Sequence, residues 1–450
     1  ANLTWAATPG ATGYRVTVKI VRGGVATTPF SSIDVGNTTG LNLETPLGAD
    51  LLQPSDEVFV TIVPYNSTDG PAVGCTEESF KVVPSWKNSP AAFKLTYNTS
   101  LQEPNNATTT PINQLRMDTK SGVTYNYSID WGDDQFNNNV TSNITHTYAN
   151  PGVYTVSIIG TYPAIGHNEL SGDAYKLTFI DQWGTQVWQT MSEAFAGCEN
   201  MEYRATDIPN LTAVTDMNSM FLLCRKFNGN INSWNVSNVT TMSALFGVND
   251  IYNQPLDNWD VGKVTRMNLM FFRTNEFNQN IGNWNTSKVT TMSRMFEDAR
   301  AFNQPLITWN VSSVTAIDKM FQRAIAFNQP LNNWNVSAAK DMTSMFDGAE
   351  VFNQNIDAWN VANVVDMTSM FTRALAFNEP LNSWDVSRVK SMRAMFSNAR
   401  SFNQPLNNWN VTLVNNMANM FVSALTFNQN INSWNVTNVA DMQSMFSNAT

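Results

Sequence analysis

The stretch Phe302-Asn303-Gln304-Pro305-Leu306-Ile307-Thr308-Trp309-Asn310-Val311-Ser312-Ser313-Val314 decides the architecture, because it recurs every 25 residues without a slip. Tryptophan stands at positions 234, 259, 284, 309, 334, 359, 384, 409 and 434, and phenylalanine at 221, 246, 271, 296, 321, 346, 371, 396, 421 and 446. A fixed period of this size marks a chain of small units, none of which buries its apolar face alone; each is covered by its neighbours. Residues 176–450 are therefore expected to form a solenoid that continues beyond 450.

Two segments within the unit carry different spacings. Leu-x-x-Trp-x-Val (Leu331, Trp334, Val336; Leu406, Trp409, Val411) matches the strand of a leucine-rich repeat. Val-x-x-Met-x-x-Met-Phe (Val364, Met367, Met370, Phe371) places apolar residues at i, i+3 and i+4, which predicts a helical turn or two on the opposite wall. All the methionines except Met117 lie in this region. They are core rather than a metal array, because Leu245 and Ile317 stand in methionine columns and a hydrocarbon replaces volume but not a thioether ligand. Asparagine follows the second aromatic of every unit, from Asn228 to Asn428, and is expected to bond the backbone of the next rung.

Upstream the pattern changes. Tyr14 to Ile20 and Val58 to Val63 alternate with the period of half-buried strands, separated by turn clusters such as Pro9-Gly10-Ala11-Thr12-Gly13. Residues 1–86 and 87–175 each read as an all-β sandwich. The fold expected is thus multidomain, with two immunoglobulin-like sandwiches followed by a leucine-rich-repeat-type β/α solenoid. The chain opens at Ala1 inside an apparent strand and stops in mid-repeat, so it reads as a window on a longer polypeptide.

Only 14% of residues are charged and the net charge is −10, so the surface is amide- and hydroxyl-rich and lacks the basic stripe that nucleic acid requires. No apolar run is long enough to span a membrane. With two histidines, His146 and His167, and no phosphate loop, paired-cysteine zinc spacing or nucleophile elbow, the chain reads as a non-enzyme without a cofactor. One acidic cluster, Asp130, Asp133 and Asp134, has the density of a Ca²⁺ site; its alternative role is closing a turn. Cys198 and Cys224 each follow a repeat phenylalanine by three residues, and either pair across adjacent rungs or fill small buried positions, where later units carry alanine. Cys75 stands alone. The outward positions after each tryptophan form the candidate contact face: Asn235, Asp260, Asn285, Asn310, Asn335, Asn360, Asp385, Asn410 and Asn435.

Three resemblances complete the expectation. Leu3-Thr4-Trp5, Pro9 to Tyr14 and Val63-Pro64-Tyr65-Asn66 resemble fibronectin type III domains, with the first strand cut away. Asp130-Trp131-Gly132-Asp133-Asp134, His146-Thr147-Tyr148 and Pro151-Gly152-Val153-Tyr154 resemble a PKD domain, although Asp134 replaces the usual glycine. Phe327 to Ser337, followed by Met342-Thr343-Ser344-Met345-Phe346, resembles BspA-like leucine-rich-repeat surface proteins, a likeness that extends over the repeats and to Ala194-Phe195-Ala196-Gly197-Cys198. The combination implies a secreted surface protein of Bacteroidota type, exported by a type IX route. Its implied partners are glycans, host or matrix proteins, other cells or copies of itself. Adhesion is the function expected, with a structural role in an extracellular filament as the alternative.

Overall fold

A computed structural model describes residues 2–22, 25–43, 56–66, 70–71, 78–81, 86, 89–104, 109–167 and 172–449. Cys75 lies outside the described residues. In chain order the strands are β1 (Asn2–Thr4), β2 (Gly13–Arg22), β3 (Val25–Asp34), β4 (Gly40–Asn42), β5 (Glu57–Asn66), β6 (Gly70–Pro71) and β7 (Glu78–Lys81). There follow β8 (Phe93–Asn98), β9 (Gln114–Met117), β10 (Asn126–Asp130), β11 (Phe136–Val140), β12 (Ile144–Thr147), β13 (Val153–Thr161), β14 (Leu177–Gln182) and β15 (Glu202–Tyr203).

The alternating runs of the first segment form its central pair. Strand β2 lies antiparallel between β3 and β5, with Val18 opposite Phe30 on one side and Val60 on the other. Val16, Val18, Ile20, Val58 and Val60 turn inward, and Leu3 and Leu41 of the separate β1–β4 pair pack against them. The second segment supplies β11, β10, β13 and β8 to a six-stranded sheet of order β11-β10-β13-β8-β14-β15, which the repeat region completes, and β9 and β12 form a small second sheet.

That sheet leads into the repeats. Strand β14 pairs antiparallel with β8, and β15 joins β14 in parallel, Phe179 opposite Glu202. From there the pairing continues as single parallel bridges one per rung, Asp216 to Thr241, Thr241 to Arg266, and so on to Asn416 and Asp441. One apolar core runs from Phe93 to Met445. A buried ion pair fixes the junction: Lys176 donates to the carbonyls of Thr110, Pro111 and Gln114 at 2.8–3.0 Å and lies 3.3 Å from Asp173. Burial lowers the Lys176 pKa, with Asp173 pulling the other way.

The repeat itself departs from the expected β/α leucine-rich-repeat solenoid. Among the described residues the only helix is a 3-10 turn at Gly172–Lys176, and the Leu-x-x-Trp-x-Val segment forms turns rather than a strand. The reason lies in how backbone donors are shared. In the rung of Met367 to Ala374, the N–H groups of Met370, Thr372 and Ala374 bond the carbonyls three residues earlier, at 3.1–3.2 Å. Those of Met367, Ser369, Phe371 and Arg373 instead bond Ser391, Arg393, Met395 and Ser397 of the next rung, at 2.8–3.0 Å. An α-helix would direct every interior donor along its own axis. Here every second donor points sideways.

Turning alternate amides outward requires left-handed backbone at two places per unit. Ser369 and Arg373 both have φ of 57°, and the same two columns run from Glu193 and Gly197 to Ser444 and Asn448. Most of these residues are not glycine. A left-handed L-residue costs roughly 1–2 kcal/mol, which the inter-rung hydrogen bonds and the shared core offset. The apolar spacing of three that suggested a helix is met by successive turns, with the side chains still directed inward. Met367, Met370 and Phe371 are all fully buried.

The backbone strain is open to test. Ala394, at φ 54°, donates its N–H to Ala418 at 2.8 Å. Ala394→Gly should raise stability by about 0.5–1 kcal/mol by removing the left-handed penalty. Gly348 sits at φ 72°, where an added Cβ would lie 3.1 Å from Cγ of Arg323, so Gly348→Ala should lower stability. Urea midpoints for the two variants should move in opposite directions; equal or reversed shifts would contradict the assignment.

Candidate functional site

The walls of the stack are built by aromatic columns and by side-chain ladders. Phe371 and Phe396 stack at 5.6 Å, Phe377 and Phe402 at 6.0 Å, and Trp409 and Trp434 at 6.3 Å. Each indole from Trp259 to Trp434 is buried and donates Nε1–H to a carbonyl of the preceding rung, as Trp334 does to Leu306 at 2.9 Å. Tryptophan thus supplies core volume and closes a backbone acceptor.

The asparagine column forms the second ladder. The N–H of each of Asn253, Asn278, Asn303, Asn328, Asn353, Asn378, Asn403 and Asn428 donates to Oδ1 of the asparagine one rung earlier, at 2.8–3.0 Å. In several rungs the following glutamine adds its amide to the same oxygen, as Gln329 does to Asn303. Glu379 occupies that glutamine position in one rung and cannot donate.

All nine residues of the candidate contact face are exposed. Each one, from Asn235 and Asp260 to Asp385, Asn410 and Asn435, also accepts through Oδ1 the N–H two residues on, at 2.9–3.2 Å. This is an Asx turn, and it explains why asparagine and aspartate interchange there: both supply Oδ1. Hydrogen bonds from Ser387 hold the Asp385 carboxyl below its usual range. The seven asparagines of the row also carry an Nδ2 donor, which Asp260 and Asp385 lack. The local role of these side chains was not visible from spacing, although the recurrent Asn/Asp-x-Ser/Thr pattern carried the signal.

The cysteine alternatives are separated. Cys198 and Cys224 are free thiols, both fully buried, and no bridge joins them. The Cys224 thiol donates to the Phe195 carbonyl at 3.0 Å instead, and burial pushes both thiols well above their ordinary pKa. They occupy the small buried position that later rungs fill with Ala299, Ala324 and Ala349.

The three acids build a turn. Asp130 accepts from Gly132 N–H at 2.8 Å, and Asp133 accepts from Gln135 N–H at 3.2 Å while its other oxygen lies 2.9 Å from His146 Nε2. His146 stacks on Trp131 at 4.8 Å. Asp134 takes φ 64°, the left-handed conformation that glycine adopts freely, and a Cβ at Gly132 would sit 2.7 Å from the Thr155 carbonyl. Among the described residues no group of three or more histidine, cysteine, aspartate or glutamate side chains is placed to hold a metal ion. His167 is buried 2.8 Å from the Tyr97 hydroxyl, far from His146 in the chain.

The family model described as "Mycoplasma protein of unknown function, DUF285" matches residues 189–288, 248–359, 272–383 and 351–450, which together span more than half of the chain. The chain belongs to the DUF285 family. No curated protein and no solved structure matches it. Membership replaces the BspA-like leucine-rich-repeat assignment, which the helix-free, strand-poor rungs also exclude. The inference of a Bacteroidota type IX export route rested on the combination of the three likenesses and falls with it. The DUF285 matches begin at residue 189, so the fibronectin type III and PKD assignments upstream find no support in them. Among the described residues no helix is long and apolar enough to cross a membrane.

Two measurements check these placements. Asn303→Ala removes the acceptor of both the Asn328 N–H and the Gln329 amide and should cost about 1–3 kcal/mol. Asn303→Asp keeps an oxygen there and should cost less; equal losses would argue against the ladder. In thiol titration of the native chain, Cys198 and Cys224 should stay unmodified until denaturant is added, and should then react without a reductant.

Proposed function

We propose that this DUF285 protein is a non-catalytic, extracellular cell-surface protein that binds through its repeat stack, in the manner of an adhesin. The observation that carries this reading is the exposed row of Asn235 to Asn435, in which an Asx turn holds each side chain in place. A polar side chain is thereby repeated once per rung along the row. Preorganised polar groups lose little freedom on binding, and a polymer with its own regular hydroxyls can engage several rungs together. Each contact is weak. The sum is not.

Glycans on cells or matrix are the partner class that suits such a wall. Aromatic and arginine anchors, which dominate protein–protein interfaces, are missing from the nine outward positions. Copies of the same chain are the partner in the alternative role, a filament subunit.

Antibody raised against the repeats should label intact cells of the source. Labelling only after permeabilisation would remove the surface assignment. In binding assays the chain should hold a glycan-coated surface roughly 10²-fold more tightly than the matching free short oligosaccharide. Regular end-to-end fibres with no glycan binding would favour the filament role.

A further inference from the structure

The repeat columns are monotonous, so a place where several break together stands out. Between the rungs of Arg225 and Arg323 the second left-handed column changes from Leu223 and Val248 to Arg273, Asp298 and Arg323. The column two residues on contributes Arg225, Asp250, Asn275 and Arg300. Together they line a groove of about 710 Å³, walled by four guanidinium groups against the carboxylates of Asp250 and Asp298. Val248 is its one apolar contributor. On a chain of net charge −10 this is a local reversal of sign.

The ion pairs inside the groove are unequally made. Arg323 grips Asp298 through both Nε, at 2.7 Å, and Nη2, and also lies 3.5 Å from Glu297, which Arg294 holds at 2.6 Å. Arg225 bonds Asp250 at 2.9 Å and lies 3.4 Å from Glu199. Arg273 and Arg300, by contrast, reach the same Asp298 only at 3.7 and 3.9 Å, and both are exposed. Burial alone would raise the Asp298 pKa, but the Arg323 hydrogen bond and the charges of Arg323, Arg300 and Arg273 hold it low, so it stays ionised as their common anchor. Each Asp298 oxygen accepts from Arg323, and neither Arg273 nor Arg300 comes within hydrogen-bond distance of it. The forks of Arg273 and Arg300 thus have donors to spare.

We infer that this groove binds the carboxylate or sulfate group of an acidic glycan, with Arg273 and Arg300 as the anion-binding pair. A guanidinium fork matches a planar carboxylate or a sulfate edge with two parallel hydrogen bonds. The remaining lining suits sugar hydroxyls: the Asp250 carboxylate accepts from them, and Asn275, whose Nδ2 donates to Asp250 at 2.9 Å, keeps a carboxamide oxygen as acceptor. A purely anionic ligand would gain nothing from a carboxylate in the wall. The volume fits one or a few sugar units. Phe272, the only aromatic in its column, lies beneath the guanidinium groups of Arg273 and Arg294, 5.2 and 5.0 Å from its ring centroid. This inference rests on the glycan-binding reading above and narrows its ligand to an acidic class.

The test uses the whole chain and four immobilised probes: polygalacturonate, dextran sulfate, neutral dextran and polyglutamate. Wild type should prefer the two acidic polysaccharides, with affinity falling as salt rises. R273Q/R300Q should weaken acidic-polysaccharide binding roughly 10-fold or more, as loss of two charge-assisted contacts implies. R373Q, in the same column but bonded to Asp347 outside the groove, should leave it unchanged. A preference for polygalacturonate over dextran sulfate would identify the carboxylate as the anchor, and the reverse would identify the sulfate. Equal binding of wild type and R273Q/R300Q would overturn the groove while leaving the adhesin reading intact if neutral dextran is held. Tighter binding of polyglutamate would make the partner an acidic protein and reject the glycan. Binding to no probe would remove both readings.

Discussion

The alternation of backbone donors is the constraint from which the repeat follows. Each rung directs one amide back along its own turn and the next across to its neighbour, so neither a helix nor a continuous strand can form. The inter-rung bonds hold successive units in the register at which the Phe302–Phe327 and Trp284–Trp309 rings stack, with centroids 6.0 and 6.3 Å apart. That separation in turn lets the Asn303 carboxamide reach Asn328 and the Trp334 indole reach Leu306. Change the donor pattern and the aromatic columns, the amide ladder and the indole caps lose their register together. Stability is therefore a property of the stack, with each unit depending on its two neighbours.

The same constraint shapes the surface. Because the core columns are fixed by stacking, they vary only among side chains that fill the same space, such as Leu245 and Ile317 for methionine, while positions that point away from the core vary in polarity and charge. The Asx row keeps its oxygen for the turn and varies only between asparagine and aspartate. The second left-handed column varies freely, from Leu223 through Arg273 and Asp298 to Gly348, because what it must satisfy is a backbone angle rather than a side-chain contact. That freedom is where a charged groove can be written into an otherwise uniform array without disturbing the core.

Much of this was legible in the sequence, and the part that was not has a physical cause. The 25-residue period located the buried Trp, Met and Phe columns of the repeats, since apolar spacing reports which side chains face inward. It does not report which way the amides point. A spacing of three and four is shared by helices and by successive three-residue turns, and Val364, Met367, Met370 and Phe371 were read as the former. The available clue was the scatter of Gly197, Asp298, Gly348 and Asn398 down one column, residues that tolerate left-handed backbone. Upstream, period-two alternation located β2 and β5, because the sheet they share buries one face in the core under Leu3 and Leu41. The interchange of Asn and Asp at the contact row concealed a turn function that both residues serve equally, and the cysteine pair proved to be small buried thiols like the alanines that succeed them.

The most direct test is nuclear magnetic resonance detection of coupling across hydrogen bonds in the repeat. The account predicts coupling from the Ser369 amide nitrogen to the carbonyl carbon of Arg393 in the next rung. Coupling instead to Val365, four residues earlier, would mean an α-helical rung and would contradict the structure of the stack on which the contact wall and the groove both depend.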